Sequence, residues 1–262
     1  MKSYLQRILT ASVYDVAEQT PLTRATNLSR RLNNEVLLKR EDMQPVFSLK
    51  IRGAYNKIAS LTEAQRERGV ICSSAGNHAQ GVALSAQKLG IKATIVMPRT
   101  TPSIKVDAVR NFGGRVVLHG DNYDAAKAHA EKLVDERGLT YIPPYDDADV
   151  IAGQGTVGME ILSQHPRPID AVFVPVGGGG LIAGIAAYIK QLRPDIKIIA
   201  VEPEDAPTLE RAMAAGKPVL LDEVGIFADG VAVRQIGEEP FRVVQDLVDE
   251  CLLVSTDEIC AG

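Results

Sequence analysis

The sequence predicts an α/β fold of two lobes, with parallel sheets flanked by helices. Three observations predict it. Between Gly69 and Gly120 short apolar runs alternate with amphipathic stretches in the order strand, helix, strand, helix, strand, and units of that length need crossover helices between parallel strands. The same rhythm returns where the apolar run Ala171–Val176 meets four successive glycines, a helical stretch and a further apolar run over 197–201. With 45% hydrophobic and 24% charged residues, a chain of 262 residues has the material for a sizeable core.

In chain order, Leu5, Ile8, Leu9, Val13 and Val16 recur at helical spacing over 4–17, as one helix or two short ones, and Thr20-Pro21-Leu22 forms a turn. A short helix follows over 26–32, a strand over 35–40, and a turn over 41–45 that leads to a helix headed by Lys50 and running to about Leu61. Strands are predicted at 70–72, 93–97 and 116–118, with helices over 77–89 and 104–112 stopped by Gly90 and by Gly113-Gly114, and a further helix over 124–135. Tyr141 to Asp147 is a proline-rich break. The helix over 150–162 carries glycines at 153, 155 and 158, which cost helix propensity and imply close packing against another backbone. Helices over 181–192, 208–215 and 240–248 and strands over 197–201 and 251–254 complete the pattern, with a loop or short strand at 229–233. Ser255 with Glu258 makes a capping box for a helix that only four further residues continue. The lobes are expected to be a larger one from 1–50 plus 150–262 and a smaller one from 51–149.

A net charge of -4 and a pI near 5.7 provide no basic field for nucleic acid, so an anionic ligand must be held by local geometry. Cys72, Cys251 and Cys260 are widely spaced, form no C-x-x-C pair and read as reduced thiols; no metal site is expected. The stretch from Met1 to Leu9 lacks the apolar run of a secretion signal, and no window approaches the ~18 apolar residues of a membrane span, which predicts a cytoplasmic protein with no membrane partner.

Three segments carry candidate chemistry. Lys50, in Ser48-Leu49-Lys50-Ile51-Arg52-Gly53-Ala54, is either a lysine whose stem covers apolar surface at a helix start or a desolvated amine nucleophile. Ser74-Ala75-Gly76-Asn77-His78 joins a strand to a helix, so its hydroxyl, N–H groups and Asn77 amide suit a carboxylate or a cofactor hydroxyl, although a plain helix cap with a satisfied histidine explains it equally well. Gly177, Gly178, Gly179, Gly180 and Leu181 lie between a strand and a helix, where bare N–H groups at the positive end of the helix dipole suit a phosphate. Together a desolvated lysine, a polar loop and a phosphate cradle describe a pyridoxal phosphate site. A competing reading takes Gly178-x-Gly180-x-x-Ala183, with Glu202 about twenty residues on, as a dinucleotide fingerprint of an oxidoreductase, which leaves Lys50 and the Asn77 loop unexplained.

As a set these motifs resemble the biosynthetic threonine dehydratases (threonine deaminases), fold-type II pyridoxal phosphate enzymes built like the tryptophan synthase β chain. The resemblance extends over Thr20-Pro21-Leu22, 39–42, 48–54, 74–81, 104–110, 152–156, 174–181 and 230–233. It implies that Lys50 binds pyridoxal 5'-phosphate and later moves the substrate Cα proton. It further implies that Asn77 hydrogen-bonds the ring hydroxyl, that Gly177 to Leu181 hold the phosphate, and that Ser74, Ala75, Gly76, Asn77 and His78 take the substrate carboxylate. The implied reaction turns L-threonine into 2-oxobutanoate and ammonia, and L-serine into pyruvate. Leu49 stands where the family usually has phenylalanine, and Ala75 where serine racemase has its second catalytic serine, so a dehydratase is implied rather than a racemase. Relative to the family, the end of the catalytic domain and the isoleucine-binding regulatory domain are absent from this sequence, which leaves a weakly active or non-catalytic cofactor-binding fragment as the alternative expectation. An apolar surface left open in that way predicts a homo-oligomer, a dimer or a tetramer.

Overall fold

The computed structural model describes residues 3–225 and 227–261. The chain passes through α1 (Tyr4–Leu9), β1 (Leu22–Arg24), α2 (Thr26–Leu32), β2 (Leu37–Lys39), a 3-10 turn at Glu41–Met43, α3 (Lys50–Ala59) and α4 (Glu63–Arg68). It continues with β3 (Val70–Ser73), α5 (Asn77–Lys88), β4 (Ala93–Met97), α6 (Ser103–Asn111), β5 (Arg115–Leu118), α7 (Tyr123–Arg137), β6 (Thr140–Tyr141) and α8 (Ala148–Gln164). The last elements are β7 (Ala171–Pro175), α9 (Gly180–Leu192), β8 (Lys197–Pro203), α10 (Thr208–Ala215), α11 (Glu238–Val244), β9 (Glu250–Val254) and α12 (Thr256–Ala261).

Two compact units result. One comprises Met1–Ala11, Ile142–Met159 and Ile169–Gly262; the other Ser12–Tyr141 and Glu160–Pro168. The sequence draws the lobe boundary at 51 and 149, whereas residues 12–50 here group with 51–141. The physical tie is ionic. Arg52 on α3 donates to Glu41 of the 3-10 turn, and Glu160 at the end of α8 accepts from Arg52, Lys39 and Tyr14.

The second unit is built on a parallel sheet of order β5-β4-β3-β6. Its strands β3 and β4 are buried along their whole length, as expected of apolar runs covered on both faces. Helix α7 covers one face by packing Ala126, Ala130 and Leu133 onto Ile71 and Val96. The strand predicted over 35–40 forms as β2 and pairs antiparallel with β1, which begins in the stretch read as a turn, with Leu22 opposite Lys39. Also unforeseen is α4, which Thr62 and Gln65 open with a capping box.

The first unit contains the parallel sheet β7-β8-β9. Here the glycines of α8 do what their cost implied. A Cβ on Gly158 would lie 3.3 Å from Ile185 Cα, and one on Gly184 of α9 would lie 2.5 Å from both the Gly155 nitrogen and the Ile151 carbonyl oxygen, so α8 and α9 touch backbone to backbone. The Ser255 capping box forms as well, Glu258 N–H donating to Ser255 Oγ at 3.3 Å and Ser255 N–H to Glu258 Oε2 at 2.8 Å.

Candidate active site

Lys50 is the first residue of α3 and is reached through a strained approach. Phe47, three residues before it, holds φ at +55°, a left-handed value that a bulky residue adopts only when its surroundings insist. The buried Ser48 then accepts the Lys50 N–H on its hydroxyl at 3.3 Å, a local cap that fixes where the helix starts. Two residues on, Arg52 is fully buried, and its guanidinium spans Glu41 at 2.7 Å and Glu160 at 2.6 Å. Burial works against the Arg52 cation, but the hydrogen bonds and charges of the two carboxylates outweigh it and raise its pKa. The Lys50 residue as a whole is only half-buried, yet desolvation of its amine lowers the pKa to about 8, far closer to neutrality than an exposed lysine. A lowered amine pKa is what a candidate nucleophile at this position needs.

The polar loop lies in the same unit. Ser74, Ala75 and Gly76 join β3 to α5, the Ser74 hydroxyl accepting the Gly76 N–H at 3.2 Å. Asn77 is exposed at the start of α5 and His78 is buried beside it in the first turn. Helices α3 and α5 meet at Gly81, where a Cβ would stand 3.2 Å from the Lys50 carbonyl oxygen and the Ile51 nitrogen. One glycine thus sets how closely the helix of the lysine and the helix of the loop approach each other. Near the loop's base burial raises the pKa of the Tyr141 and Tyr123 hydroxyls, which interact with each other. The buried Ser73 hydroxyl has no hydrogen-bond partner among the described residues. The two tyrosines were not legible in the sequence, where 141–147 reads only as a break.

The glycine loop lies in the other unit, between β7 and α9. Gly177 and Gly178 follow the strand, Gly179 takes φ +86° as the helix cap, and Gly180 and Leu181 open α9. Side chains would not fit: a Cβ on Gly177 would lie 2.9 Å from the Val231 backbone, one on Gly179 2.9 Å from Ile236 and Pro240, and one on Gly178 inside the Tyr145 ring. Three carbonyls of the loop are anchored in turn. The Thr208 hydroxyl donates to Gly177 O at 2.8 Å, the Gly237 N–H to Gly178 O at 3.1 Å and the Ala183 N–H to Gly179 O at 3.0 Å. Because a trans peptide places C=O and the next N–H on opposite sides, each anchor turns the N–H of Gly178, Gly179 and Gly180 away from itself. This loop, with its side-chain space filled and its N–H groups turned away from their anchors at the head of a thirteen-residue helix, fits a phosphate group. Neither Tyr145 nor Thr208 carried a sequence signal for this role.

Glu202, the acid of the dinucleotide reading, is not available to a ribose. It is fully buried, and its carboxyl accepts from Leu209 N–H at 2.8 Å, Glu210 N–H at 2.9 Å and pairs with the Thr208 hydroxyl at 3.0 Å. Burial pushes its pKa up, against the opposing pull of those donors and of the Cys251 thiol. Among the described residues no three histidine, cysteine or acidic side chains form a metal-binding group, and no helix is long and apolar enough to cross a membrane.

Comparison with known proteins identifies the family. Residues 13–262 match the family model described as pyridoxal-phosphate dependent enzyme. The chain is 60% identical over 259 residues to the biosynthetic L-threonine dehydratase IlvA of Pasteurella multocida, covering 99% of this chain and 50% of that protein. It is also 60% identical over 259 residues to the chloroplastic biosynthetic threonine dehydratase of Arabidopsis thaliana, covering 99% of this chain and 44% of that one. The chain therefore spans about half the length of the curated relatives it matches. Among solved structures, the processed form of threonine deaminase isoform 2 from Solanum lycopersicum superposes with a TM-score of 0.97 at 53% identity, covering 98% of this chain and 75% of that chain. Maize serine racemase follows at 0.94 and 35% identity, covering all of this chain and 79% of that chain. The fold is that of the fold-type II enzymes, and the chain belongs to the family of pyridoxal-phosphate dependent enzymes.

Proposed function

We propose that the chain catalyses the pyridoxal phosphate-dependent dehydration and deamination of L-threonine to 2-oxobutanoate and ammonia, and of L-serine to pyruvate and ammonia. The observation that carries this reading is the Lys50 amine, desolvated to a pKa of about 8 at the head of α3 in a chain of this family. An amine with that pKa is substantially neutral near pH 8, so it adds to an aldehyde and afterwards accepts a proton. When bound, the cofactor supplies an electron sink that acidifies the substrate Cα–H. Lys50 takes that proton, and Ser74 to His78 orient the substrate carboxylate at the start of α5, where the helix dipole favours an anion. Asn77 holds the ring hydroxyl, and the N–H groups from Gly178 to Leu181, with the backbone of Gly177, hold the phosphate. The relatives named threonine dehydratase and threonine deaminase support the substrate.

The test is an absorbance titration of the purified chain with pyridoxal phosphate, then L-threonine and a keto-acid assay on the same sample. A Lys50-dependent cofactor band with 2-oxobutanoate release is expected. A band without product would identify a chain that binds cofactor without turning substrate over, and product formation by Lys50→Ala at the parent rate would remove Lys50 from the mechanism.

The chain is further proposed to act as a dimer or tetramer. The large apolar side chains Phe47, Ile104 and Phe173 are 75%, 77% and 60% exposed, and covering such side chains with a second copy would be favourable. A monomer in sedimentation velocity at working concentration would overturn this.

A further inference from the structure

The anchors of the glycine loop are of different kinds. Gly178 and Gly179 are held by backbone N–H groups, whereas Gly177 is held by a side chain, the hydroxyl of Thr208, from a helix start about thirty residues further along the chain. Thr208 is fully buried beside Glu202, whose oxygens accept the next two N–H groups of α10 and so hold the turn that carries the hydroxyl. The carboxyl therefore fastens the first turn of α10 to the end of β8, and the hydroxyl on that turn reaches across to the end of β7. A hydroxyl has one hydrogen. With Leu209 N–H and Glu210 N–H already supplying Glu202, the Gly177 carbonyl at 2.8 Å is the acceptor that most needs it. Turning the Gly177–Gly178 peptide in this way fixes the direction of the Gly178 N–H, the first donor of the loop.

We propose that Thr208, backed by Glu202, is a positioning residue for the phosphate of the cofactor, acting through the Gly177 carbonyl without touching the ligand. The inference rests on the reading of the glycine loop as the phosphate site. It assigns part of the affinity for a phosphorylated cofactor to a side chain outside the loop, and it predicts a loss confined to the phosphate. Pyridoxal, which lacks the phosphate but keeps the aldehyde, separates the two contributions.

The experiment titrates the full chain with pyridoxal phosphate and with pyridoxal, following the absorbance band, for the parent, Thr208→Val and Thr208→Ser. Valine keeps the shape and removes the hydrogen, so affinity for pyridoxal phosphate is expected to fall roughly three- to tenfold, the range of one net hydrogen bond. Pyridoxal affinity is expected to stay unchanged, and serine to restore the preference. Should valine fail to fold at this buried position, Thr208→Cys, of similar size and with a weak donor, carries the same expectation at smaller magnitude. A Thr208→Val chain that keeps the parent's preference for the phosphorylated form would overturn the inference, as would an equal loss for both ligands. A parent with no preference for the phosphorylated form would instead overturn the assignment of the glycine loop, and the role of Thr208 with it.

Discussion

Arg52 Nη1 stands 2.6 Å from Glu160 Oε1, with neither side chain more than 1% exposed. The pair joins α3 to the last turns of α8 inside one unit, and further partners of the two side chains include Glu41, the Glu18 carbonyl, Lys39 and Tyr14. Removing one partner strands a buried charge. Glu160→Leu is expected to cost about 3–5 kcal/mol of unfolding free energy in a urea titration. A loss below about 1 kcal/mol, the scale of a surface pair, would show that the network is solvated in solution.

The same carboxylate contributes to the pH dependence of stability. Burial raises the Glu160 pKa, but the hydrogen bonds and charges of Arg52 and Lys39 and the Tyr14 hydroxyl bring it below the usual glutamate value. A carboxyl whose folded pKa lies below its unfolded pKa contributes stability above the unfolded value and loses it as pH falls through the folded one. Unfolding midpoints are therefore expected to decline below about pH 4.3 in the parent, more steeply than in Glu160→Gln. Equal slopes in the two proteins would exclude Glu160 as the group responsible.

Capture of the cofactor aldehyde should follow the Lys50 amine. With its pKa lowered to about 8 by burial, the neutral fraction rises through pH 8. The rate of appearance of the cofactor band in cofactor-free protein should increase with pH through 8 and level off at about pH 9, one unit above the amine's pKa. A rate still climbing tenfold per unit at pH 9.5 would place the amine at an ordinary lysine value.

Gly184→Ala should be the most damaging single methyl group in the first unit. Its Cβ would fall 2.5 Å from two backbone atoms of α8, and backbone does not yield as a side-chain tip does. A loss of about 3 kcal/mol or more is expected in chemical denaturation, with the far-ultraviolet helix signal retained below the midpoint. Gly216→Ala is the comparison: it has no neighbour within 4 Å but a φ of +67°, and should lose only about 1 kcal/mol.

Much of this was legible in the sequence because it depends on local chemistry. The helices α2 and α10 and the strand β4 have the predicted ends, and the Ser255 box forms. What was missed is short or owes its form to distant partners. Strand β6 has two residues and exists because Val70 and Ile71 pair with it, and β1 exists because β2 lies opposite. Lys50 and the glycine loop are candidates that residue type and position alone single out. Their supports did not: Tyr145 under Gly178, Thr208 beneath Gly177 and Glu160 behind Arg52 are ordinary residues whose roles arise only from the company the fold gives them. Glu202 also allowed a lesser reading as a ribose-binding acid, and its burial and hydrogen-bond partners decide against it.

The close approach of α5 to α3 at Gly81, where even a Cβ would crowd the Lys50 carbonyl oxygen, is purely steric. A steric contact has no proton to lose and no counterion to exchange, so it is indifferent to acidity and ionic strength over the range in which the folded chain persists. The lysine's main chain is thus located by a constraint that does not titrate, while the reactivity of its amine is set by one that does. Buffer and salt can tune how readily Lys50 reacts without moving the place from which it does so.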